Sequence, residues 1–367
     1  MIKRIAKTLA SFFLAFLFYV IVQIGYASLY DYQPEEIISI DPDRTASQAT
    51  IEDSILTLMT WNLGYGGLGA ESDFFYSDGS ILLSGGKMVR PAKPVVEKNV
   101  KGIQSTIQQN PVDIFLLQET DYQSKRSYFI NQHQELSKLL PNYAAIRATN
   151  YKVVFVPTPI LEPWNAYGTT WSGLSTFSKF QPRQSIRYQL PGEFSWPNKL
   201  YLLDRCAAQH RYPLLNGKEL IVYNIHNSAY DKDGSIKKQQ MAYLREQWLK
   251  AYEEGHYLVI GGDWNQCPPN FRPNTFRPTQ GTGNTSYNIP VDFLPEDWLW
   301  IYDPTVPTIR STREVYRPNR TFVSLIDFFL ISPNVKALEI KGVDLGFQFS
   351  DHQPVKVKVE LLDFRGE

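Results

Sequence analysis

Polar side chains that could bind a metal ion or move a proton follow six apolar segments of the sequence. The six groups are Asn62, Gln118-Glu119, His226-Asn227, Asp263 with Asn265, Asp327, and Ser350-Asp351-His352. A single polar residue at a strand end usually has only a capping or solvating role. Six such ends in one chain predict a shared site, because strand ends converge on a common edge or face, where α/β proteins place their sites.

The residue types in this set favour a hard cation over zinc. Carboxylate oxygens are the ligands that Mg²⁺ takes, and Mg²⁺ keeps some water and binds substrate phosphate. The chain has five histidines, two cysteines (Cys206 and Cys267) and no HExxH motif, so the usual zinc ligand patterns are absent. A histidine beside a carboxylate, as in Asp351-His352, suits a general base or a group that holds a phosphoryl oxygen.

Asp263 and Asn265 stand two positions apart after an apolar run that ends in Gly261-Gly262. In an extended segment this spacing puts both side chains on one side, and the glycines allow close backbone approach. One side chain can then hold a water while the other holds the group that the water attacks. The alternative is a polar loop after a buried strand.

Other catalytic patterns are missing from the sequence. It contains no Walker GxxxxGK[ST], no GxGxxG after a first strand and no GxSxG elbow. The segment GYGGLGA, 64–70, is rich in glycine, but no Lys-Ser/Thr pair follows it. We therefore expect an adaptable substrate loop there rather than a phosphate-binding loop.

Segments with strand and helix patterns alternate along the chain from residue 55. The predicted strands are 55–63, 113–119, 173–178, 200–210, 219–227, 257–263, 324–332 and 353–361, and the predicted helices are 94–109, 127–140 and 235–253. Strands outnumber helices and several follow one another, which favours two packed sheets with helices outside over one doubly wound sheet. Long irregular stretches at 64–93 and 264–298 are expected to be functional or mobile.

The N-terminus predicts a membrane address. Three basic residues, Lys3, Arg4 and Lys7, precede an uncharged run from Thr8 to Tyr30, and about 20 residues cross a bilayer. The length favours a retained anchor (1–30) with the rest exported, although Gly25-Tyr26-Ala27 also resembles a signal cleavage site. The acidic segment 31–54 reads as a linker, and 55–367 as the catalytic domain.

Composition narrows the class of partner. Lys plus Arg and Asp plus Glu number 37 each, and this neutrality argues against a protein whose affinity rests on many phosphate contacts. Aromatic residues make up 14% of the chain, which indicates aromatic core packing more than a substrate surface. The two cysteines are expected to be packing residues, with one disulfide as the alternative.

Seven segments in order resemble the endonuclease/exonuclease/phosphatase superfamily. They are TWNLG, LLQET, GLSTFSK, VYNIHNSA, GGDWNQ, SLIDFFLIS and FSDHQPV, and the resemblance covers residues 55–361. It implies a four-layer α/β sandwich, two packed mixed β-sheets flanked by helices, and metal-dependent hydrolysis of a phosphodiester or phosphomonoester. The implied cofactor is Mg²⁺, with Mn²⁺ as an alternative.

The resemblance also implies a role for each residue of the set. Glu119 is the expected principal metal ligand, with Asn62 and Asp351 beside the metal. Asp263 is expected to orient or deprotonate the attacking water, Asn265 to bind the phosphate, and His226 to face the phosphoryl oxygens. Asp327 and Asp351 are expected to support the two sides of the site, and His352 to contact the phosphoryl group or to act as a base with a partnering Asp. Asn227 and Trp264, where the chain departs from the common family pattern, are expected to bind substrate.

These patterns lead to a hypothesis and two alternatives. The hypothesis is a Mg²⁺-dependent phosphoesterase outside the cytoplasmic membrane, acting on a lipid headgroup, a nucleotide or another small phosphoester without an obligate protein partner. The first alternative is a secreted or anchored nuclease, a DNA or RNA endonuclease, that uses the same site on nucleic acid. The second is an inactive binding protein on this scaffold, which predicts a replacement at Glu119, Asp263, Asn265 or His352, and none is replaced. The inositol phosphatase signature, an Ala-Trp-Cys-Asp-Arg type run, is absent, which argues against inositol polyphosphates.

Overall fold

A computed structural model describes residues 1–229, 231, 233–272, 275–276 and 288–364. Its helices are α1 Ile2–Leu29, α2 Lys93–Gln109, α3 Gln132–Leu139 and α4 Ser235–Glu253. The predicted helix at 127–140 begins later than expected. Tyr128 and Phe129 have left-handed backbone angles, and the Asn131 side chain accepts from the Gln134 amide as the helix cap.

The strands are β1 Ile37–Ser39, β2 Ile55–Asn62, β3 Ile114–Asp121, β4 Ala144–Val156, β5 Gly168–Ser178, β6 Gln184–Gln189, β7 Cys206–Pro213, β8 Glu219–His226, β9 Tyr257–Asp263, β10 Leu299–Ile301, β11 Ile309–Arg310, β12 Val323–Ser324, β13 Asp327–Ile331, β14 Val335–Gly342 and β15 Val355–Leu361. They form a seven-stranded sheet in the order β1-β6-β7-β8-β9-β13-β10 and a six-stranded sheet in the order β14-β15-β2-β3-β5-β4. Both sheets are mixed, because β8 with β9 and β2 with β3 are parallel pairs.

Four layers follow from where the apolar faces point. One cluster of buried residues, including Leu58 and Val357 of one sheet and Val222 and Phe329 of the other, fills the space between the sheets. Helices α2 and α3 cover the outer face of the six-stranded sheet, and α4 covers that of the seven-stranded sheet through residues such as Trp248. This arrangement confirms the predicted α/β sandwich of two packed sheets flanked by helices.

Two predicted strands have different limits in the structure. The segment predicted as a strand at 200–210 starts as a 3-10 helix, Asn198–Tyr201, and becomes extended only at Cys206. The segment predicted at 324–332 is divided between β12 and β13, so Asp327 stands at the start of a strand rather than its end. Cys206 and Cys267 are free and buried, as expected for packing residues.

The segment predicted as a linker, 31–54, packs on the domain. Strand β1 pairs antiparallel with β6, and Ile51 is buried in the core between the sheets. The apolar residues of this segment are too few to show periodicity, so the sequence pattern does not predict this packing. The domain boundary at residue 55 stays a prediction. Part of the long irregular stretch predicted at 264–298 lies outside the described residues.

The helix α1 is long and apolar enough to cross a membrane or to serve as a signal sequence, with a mean hydropathy of 2.2. Residues 64–93, predicted as a long irregular stretch, contain only 3-10 turns before α2 begins. The buried Arg310 holds the start of this stretch, because its Nη2 donates to the carbonyls of Leu68, Gly69 and Ser72.

Candidate active site

Four of the predicted polar positions meet at one edge of the sandwich. In the seven-stranded sheet, the register places His226 of β8 beside Asp263 of β9, and Asp327 of the antiparallel β13 on its other side. Strand β2 of the other sheet ends at Asn62 on the same edge. The Asn62 Nδ2 donates to Asp263 Oδ2 at 3.0 Å, so the site joins the two sheets.

The Asp263 carboxylate lies at the centre of this arrangement and is buried. Its Oδ2 is 3.3 Å from His226 Nε2 and 3.8 Å from His352 Nε2, in addition to the contact with Asn62. Its Oδ1 accepts from the backbone amide of Asn265 at 3.0 Å. These donors fix both carboxylate oxygens, which suits a group that positions a water.

Glu119 reaches the site because β3 bulges there. The pairing of β3 with β5 shifts register between Leu117 and Thr120, and Glu119 has φ +50°. A bulge re-aims a side chain, and left-handed backbone at a residue other than glycine is strain of the kind found at functional sites. The Glu119 Oε1 accepts from Asn62 Nδ2 at 3.3 Å and lies 3.9 Å from His226 Nε2.

Asn62 contacts both carboxylates through its amide nitrogen. Its oxygen accepts from the Gly64 amide at 3.0 Å, and Ser350 Oγ donates to its backbone carbonyl at 2.8 Å. In this arrangement Asn62 orients Glu119 and Asp263, and its role as a metal ligand stays a prediction. The side chain assignment follows from the hydrogen-bond network, in which nitrogen and oxygen have distinct partners.

His352 and Asp327 form a buried pair. The His352 Nδ1 donates to Asp327 Oδ2 at 2.8 Å, which leaves Nε2 facing Asp263. Burial alone would lower the pKa of His352, but the Asp327 and Asp263 carboxylates raise it to about 10. Burial raises the pKa of Asp327 to about 6, and His352 opposes that rise. The geometry supports an imidazolium paired with a carboxylate, which can donate a proton or a hydrogen bond.

His226 has the opposite electrostatic character. Burial lowers its pKa well below the ordinary value, and the neighbouring cations Arg205, His352 and Arg126 lower it further. Its Nδ1 is buried and has no hydrogen-bond partner among the described residues. A neutral imidazole in contact with Asp263 therefore stands beside a charged one, and the two can hold an oxygen anion from different sides.

Glu119 and Asp351 form the donor set that fits a hard divalent cation. Burial raises the pKa of Glu119, Arg126 lowers it, and the nearby Asp351 carboxylate raises it again. Burial likewise raises the pKa of Asp351. Glu119 is half-buried and Asp351 is buried. Two such carboxylates that repel each other are stabilised by a dication between them, and oxygen donors suit Mg²⁺.

A second group, Asp263, Asp327 and His352, offers ligand atoms within 4.8 Å of one another. It fits a metal less well, because His352 Nδ1 is committed to Asp327 and the pKa of the imidazole is raised. A metal-binding histidine must be neutral. The protonated pair instead matches a site for an anionic substrate group.

Asn265 lies beside the site, whereas the side chains of Trp264 and Asn227 lie in the core. Asn265 has φ +50°, so the extended geometry assumed from its spacing is wrong. Its backbone amide donates to Asp263, and its Nδ2 donates to the Asn227 carbonyl at 2.9 Å. The side chain thus braces the loop, and its role in binding phosphate stays a prediction.

Trp264 and Asn227 are corrections to the predicted substrate-binding set. Trp264 is fully buried, stacks on Phe328 and donates to the Phe328 carbonyl at 3.0 Å. Its side chain points to the opposite face from that of Asp263, as alternation along an extended chain requires. Asn227 is also fully buried, and its Nδ2 lies 3.2 Å from Met241 Sδ of α4. Both side chains pack the core.

Sequence reasoning missed three cations near the site. Arg205 is an electrostatic neighbour of Glu119 and His226, Lys237 of Asp263, and Arg126 of Glu119. Arg205 precedes β7, whose start lies at the same edge as the end of its antiparallel partner β8. A search for polar residues after apolar strands does not find Arg205. A residue just before an antiparallel neighbouring strand lies at the same edge of the sheet and could have been included in the search.

Arg126 is anchored more firmly than the other two. Its Nη2 lies 2.7 Å from Asp121 Oδ1, its Nη1 donates to Tyr167 Oη at 2.8 Å, and its guanidinium stands 3.9 Å from the ring centre of Tyr65. This cluster fixes the end of β3 immediately beyond the Glu119 bulge. The site therefore has an acidic side, Glu119 and Asp351, and cationic groups around it, which is the charge pattern that a metal-bound phosphate needs.

A sequence model of the Endonuclease/Exonuclease/phosphatase family matches residues 59–352. The match includes every one of the predicted site residues. No curated protein sequence matches the chain.

Solved structures share the fold at low sequence identity. The endonuclease/exonuclease/phosphatase from Beutenbergia cavernae DSM 12333 is 16% identical, with a TM-score of 0.55, over 84% of this chain and 72% of that one. The family protein from Leptotrichia buccalis C-1013-b is 12% identical, with a TM-score of 0.51, over 83% and 100%. ANGEL2, a 2',3'-cyclic phosphatase in complex with adenosine-2',3'-vanadate, is 15% identical, with a TM-score of 0.50, over 90% and 99%.

Proposed function

Because the chain belongs to the Endonuclease/Exonuclease/phosphatase family of phosphoester hydrolases, we propose that it hydrolyses a lipid headgroup or small phosphoester outside the cytoplasmic membrane. The observation that carries the proposal is the convergence on Asp263. Asn62, His226 and His352 surround one oxygen of this buried carboxylate. The reaction is an in-line attack by water on the phosphorus of a substrate that is a phosphodiester or a phosphomonoester.

The protein groups divide the work between the water and the phosphate. Asp263 holds the water and takes its proton, while Asn62 and the Asn265 amide keep the carboxylate in place. His352, charged and held by Asp327, donates to a phosphoryl oxygen. Neutral His226 and Arg205 face the same charge, so negative charge that grows on the phosphoryl oxygens meets fixed donors.

Glu119 and Asp351 would hold a divalent metal, which we propose to be Mg²⁺, with Mn²⁺ as the alternative. The family depends on a divalent metal, and the two neighbouring carboxylates fit one by charge and donor type. When bound, such an ion polarises the phosphoryl oxygen and neutralises its charge. Asp121 anchors Arg126. The positive charge of Arg126 lowers the pKa of the neighbouring Glu119 and so favours its charged form.

Charge balance and the apolar helix support a lipid or small substrate over duplex DNA. The chain has no net charge, and α1 could hold the domain at a membrane. We propose a retained single-pass anchor with the N-terminus cytoplasmic and the domain exported, since basic residues stay on the cytoplasmic side. No obligate protein partner is needed to complete the site.

The second candidate is a nuclease or nucleotide phosphoesterase with the same residues. It is supported by the fold shared with a cyclic phosphatase that binds an adenosine analogue. An inactive binding protein is the less favoured interpretation, because Glu119, Asp263, Asn265 and His352 are all present in the sequence.

The test uses the full chain in detergent with four substrates: plasmid DNA, RNA, sphingomyelin and bis-p-nitrophenyl phosphate. We expect hydrolysis of a lipid or small phosphoester that EDTA abolishes and Mg²⁺ restores. Glu119→Ala should lower kcat by about 10²–10³, the usual cost of removing one electrostatic stabiliser. Nicking of plasmid at near-physiological salt would contradict the lipid preference, and unchanged activity in Glu119→Ala would contradict the metal assignment.

A further inference from the structure

Two surface loops, one with residues 81–83 and the other with residues 161–164, carry a group of exposed apolar side chains. We call this group the apolar edge and define it as Ile81, Leu82, Leu83, Leu161 and Trp164. Trp164 is 77% exposed, and Leu82 and Leu83 about half exposed. Single exposed apolar residues are ordinary, but a contiguous group on one surface marks an interaction site.

The loops are braced together, so the exposure is a property of ordered chain. The Ile160 amide donates to the Ile81 carbonyl at 2.9 Å, and the Leu161 amide to the Leu82 carbonyl at 3.0 Å. The Ser84 amide and hydroxyl both donate to Glu162 Oε1. The backbone of each loop is therefore satisfied by the other, and the apolar side chains remain outside.

An aromatic cluster connects the apolar edge to the end of the domain that contacts α1. The cluster comprises Phe75, Val89, Tyr151, Val153, Val156 and Tyr167, with Tyr201 and Leu203 packed against it. The Tyr151 hydroxyl donates to the Tyr201 carbonyl at 3.0 Å. The 3-10 helix Asn198–Tyr201 and strand β4 are in turn the elements that α1 contacts.

The last turns of α1 lie along the domain. Ala27 is buried, Tyr19, Val20, Gln23 and Ile24 are half-buried, and Tyr19 is an electrostatic neighbour of Tyr201. Tyr19 precedes the helix end at Leu29 by ten residues, which is about 15 Å along a helix. If α1 crosses a membrane, as proposed above, the eighteen residues that precede Tyr19 cover about 27 Å of it, so a domain that contacts the helix from Tyr19 onward lies next to the bilayer.

We infer that the apolar edge is a membrane-docking surface whose partner is the interfacial layer of the bilayer that α1 enters. Tryptophan and leucine are the side chains that suit this layer, where an apolar body meets polar headgroups. Trp196, 60% exposed and just before the 3-10 helix that contacts α1, adds a second interfacial ring. The aromatic cluster contains Phe75 and Val89 of one loop and Tyr167 at the end of the other, and Tyr201 of the 3-10 helix that contacts α1 packs against it, so we assign the apolar edge and α1 to one membrane.

The test places a dye at the apolar edge in the full chain. Both native cysteines are buried, so an introduced surface cysteine can be labelled selectively. Leu82→Cys and Trp164→Cys would carry an environment-sensitive fluorophore in vesicles of phosphatidylethanolamine and phosphatidylglycerol that contain brominated lipid. Leu215→Cys is the matched control: it is 59% exposed and follows the far end of β7, about 27 Å along that strand from Cys206.

We expect a blue shift and quenching by brominated lipid at positions 82 and 164, and neither at 215. Emission at 82 and 164 that matches position 215 would overturn the inference. The readout needs no hydrolysis, so it can succeed even if the proposed function fails. Quenching at all three positions would also count against it, because the docking surface would then not be specific.

One consequence rests on the proposed function. If the substrate is a headgroup ester, docking supplies it, so the double variant Leu82→Asp, Leu161→Asp should lose at least several-fold of its activity on vesicle-borne substrate. Activity on soluble bis-p-nitrophenyl phosphate should be unchanged, and Leu215→Asp should match the unaltered chain on both. An equal fall on both substrates would contradict a role for the edge at the membrane.

Discussion

Asp263 is the residue on which the proposed chemistry depends most directly. Asp263→Asn keeps the shape of the side chain but removes the charge that accepts a proton from water. We expect kcat on bis-p-nitrophenyl phosphate to fall by at least about 10²–10³, with the unfolding temperature little changed. The exposed Asp297 provides the matched control in Asp297→Asn. Activity within a few-fold of the unaltered chain would contradict the assignment.

Arg205 is the cation that the structure adds to the predicted set. It neighbours Glu119 and His226, so Arg205→Gln should remove a donor to the phosphate and lower kcat/KM by about 10². Arg205→Lys should recover part of that loss, because it keeps the charge without the fork of donors. Arg183→Gln, an exposed arginine paired with Glu219, is the control. A fall in stability without loss of activity would show a packing role instead.

Backbone approach between strands β8 and β9 sets the spacing of His226 and Asp263. Gly262 has φ +155°, and a Cβ there would lie 2.1 Å from the Ile225 carbonyl oxygen. Gly262→Ala should therefore destabilise the protein by about 1–3 kcal/mol and lower activity by moving His226. Gly217 also has a positive φ, but a Cβ there would meet no atom within 4 Å, so Gly217→Ala is the control. Urea unfolding that gives equal losses for the two variants would exclude close approach as the cause.

The two sheets are also joined by a buried histidine, which predicts loss of stability in acid. His210 of β7 contacts Ser185 Oγ of β6 and Thr176 Oγ1 of β5, each at 2.9 Å. Burial lowers its pKa from 6.5 to about 3. The unfolded chain binds the proton first, so its contribution to stability is complete above pH 6.5 and is lost as the pH falls toward 3.

Between pH 7 and pH 5 this single group should lower the free energy of unfolding by about 2 kcal/mol. His210→Gln should be less stable at pH 7 but should lose less stability over that interval. Urea unfolding at the two pH values measures the difference. The same pH dependence in both proteins would show that His210 titrates normally or that other groups dominate.

At the scale of the whole molecule, one face of α1 contacts the sandwich. Tyr19, Val20, Gln23 and Ile24 are half-buried and Ala27 is buried, and removal of the segment would expose the surface that they cover. We therefore expect the mature chain to keep its N-terminus. Intact mass of protein extracted from membranes measures this, and a mature chain that begins at Ser28, after the small-residue site, would contradict retention.

Positive and negative charges are balanced over the whole molecule, and both signs also meet at the site. Glu119, Asp263 and Asp351 have Arg126, Arg205, Lys237 and His352 among their electrostatic neighbours. The potential that binds phosphate is therefore local, and salt should weaken substrate binding less than it would for a protein covered in basic residues.

Much of the site could be predicted from the sequence because its signal is local. Asn62, Glu119, His226 and Asp263 follow buried apolar runs, and parallel strands bring such ends to one edge. The helices α2 and α4 were predicted within one residue of their observed limits, since their apolar periodicity is regular. The unpredicted strands β4, β6 and β14 include exposed positions and lie at or near sheet edges, where the apolar pattern is weaker.

The sequence by itself determined the chemical types at the site, the family they resemble and the buried strands that carry them. Only the tertiary structure decided which way each side chain points: Trp264 into the core, Asn227 onto Met241, and Glu119 into the site through a bulge. It also brought Arg205 to the edge from the start of an antiparallel strand. The physical reason is that periodicity is a local property of the chain, whereas facing, register and charge contact depend on residues far apart in sequence.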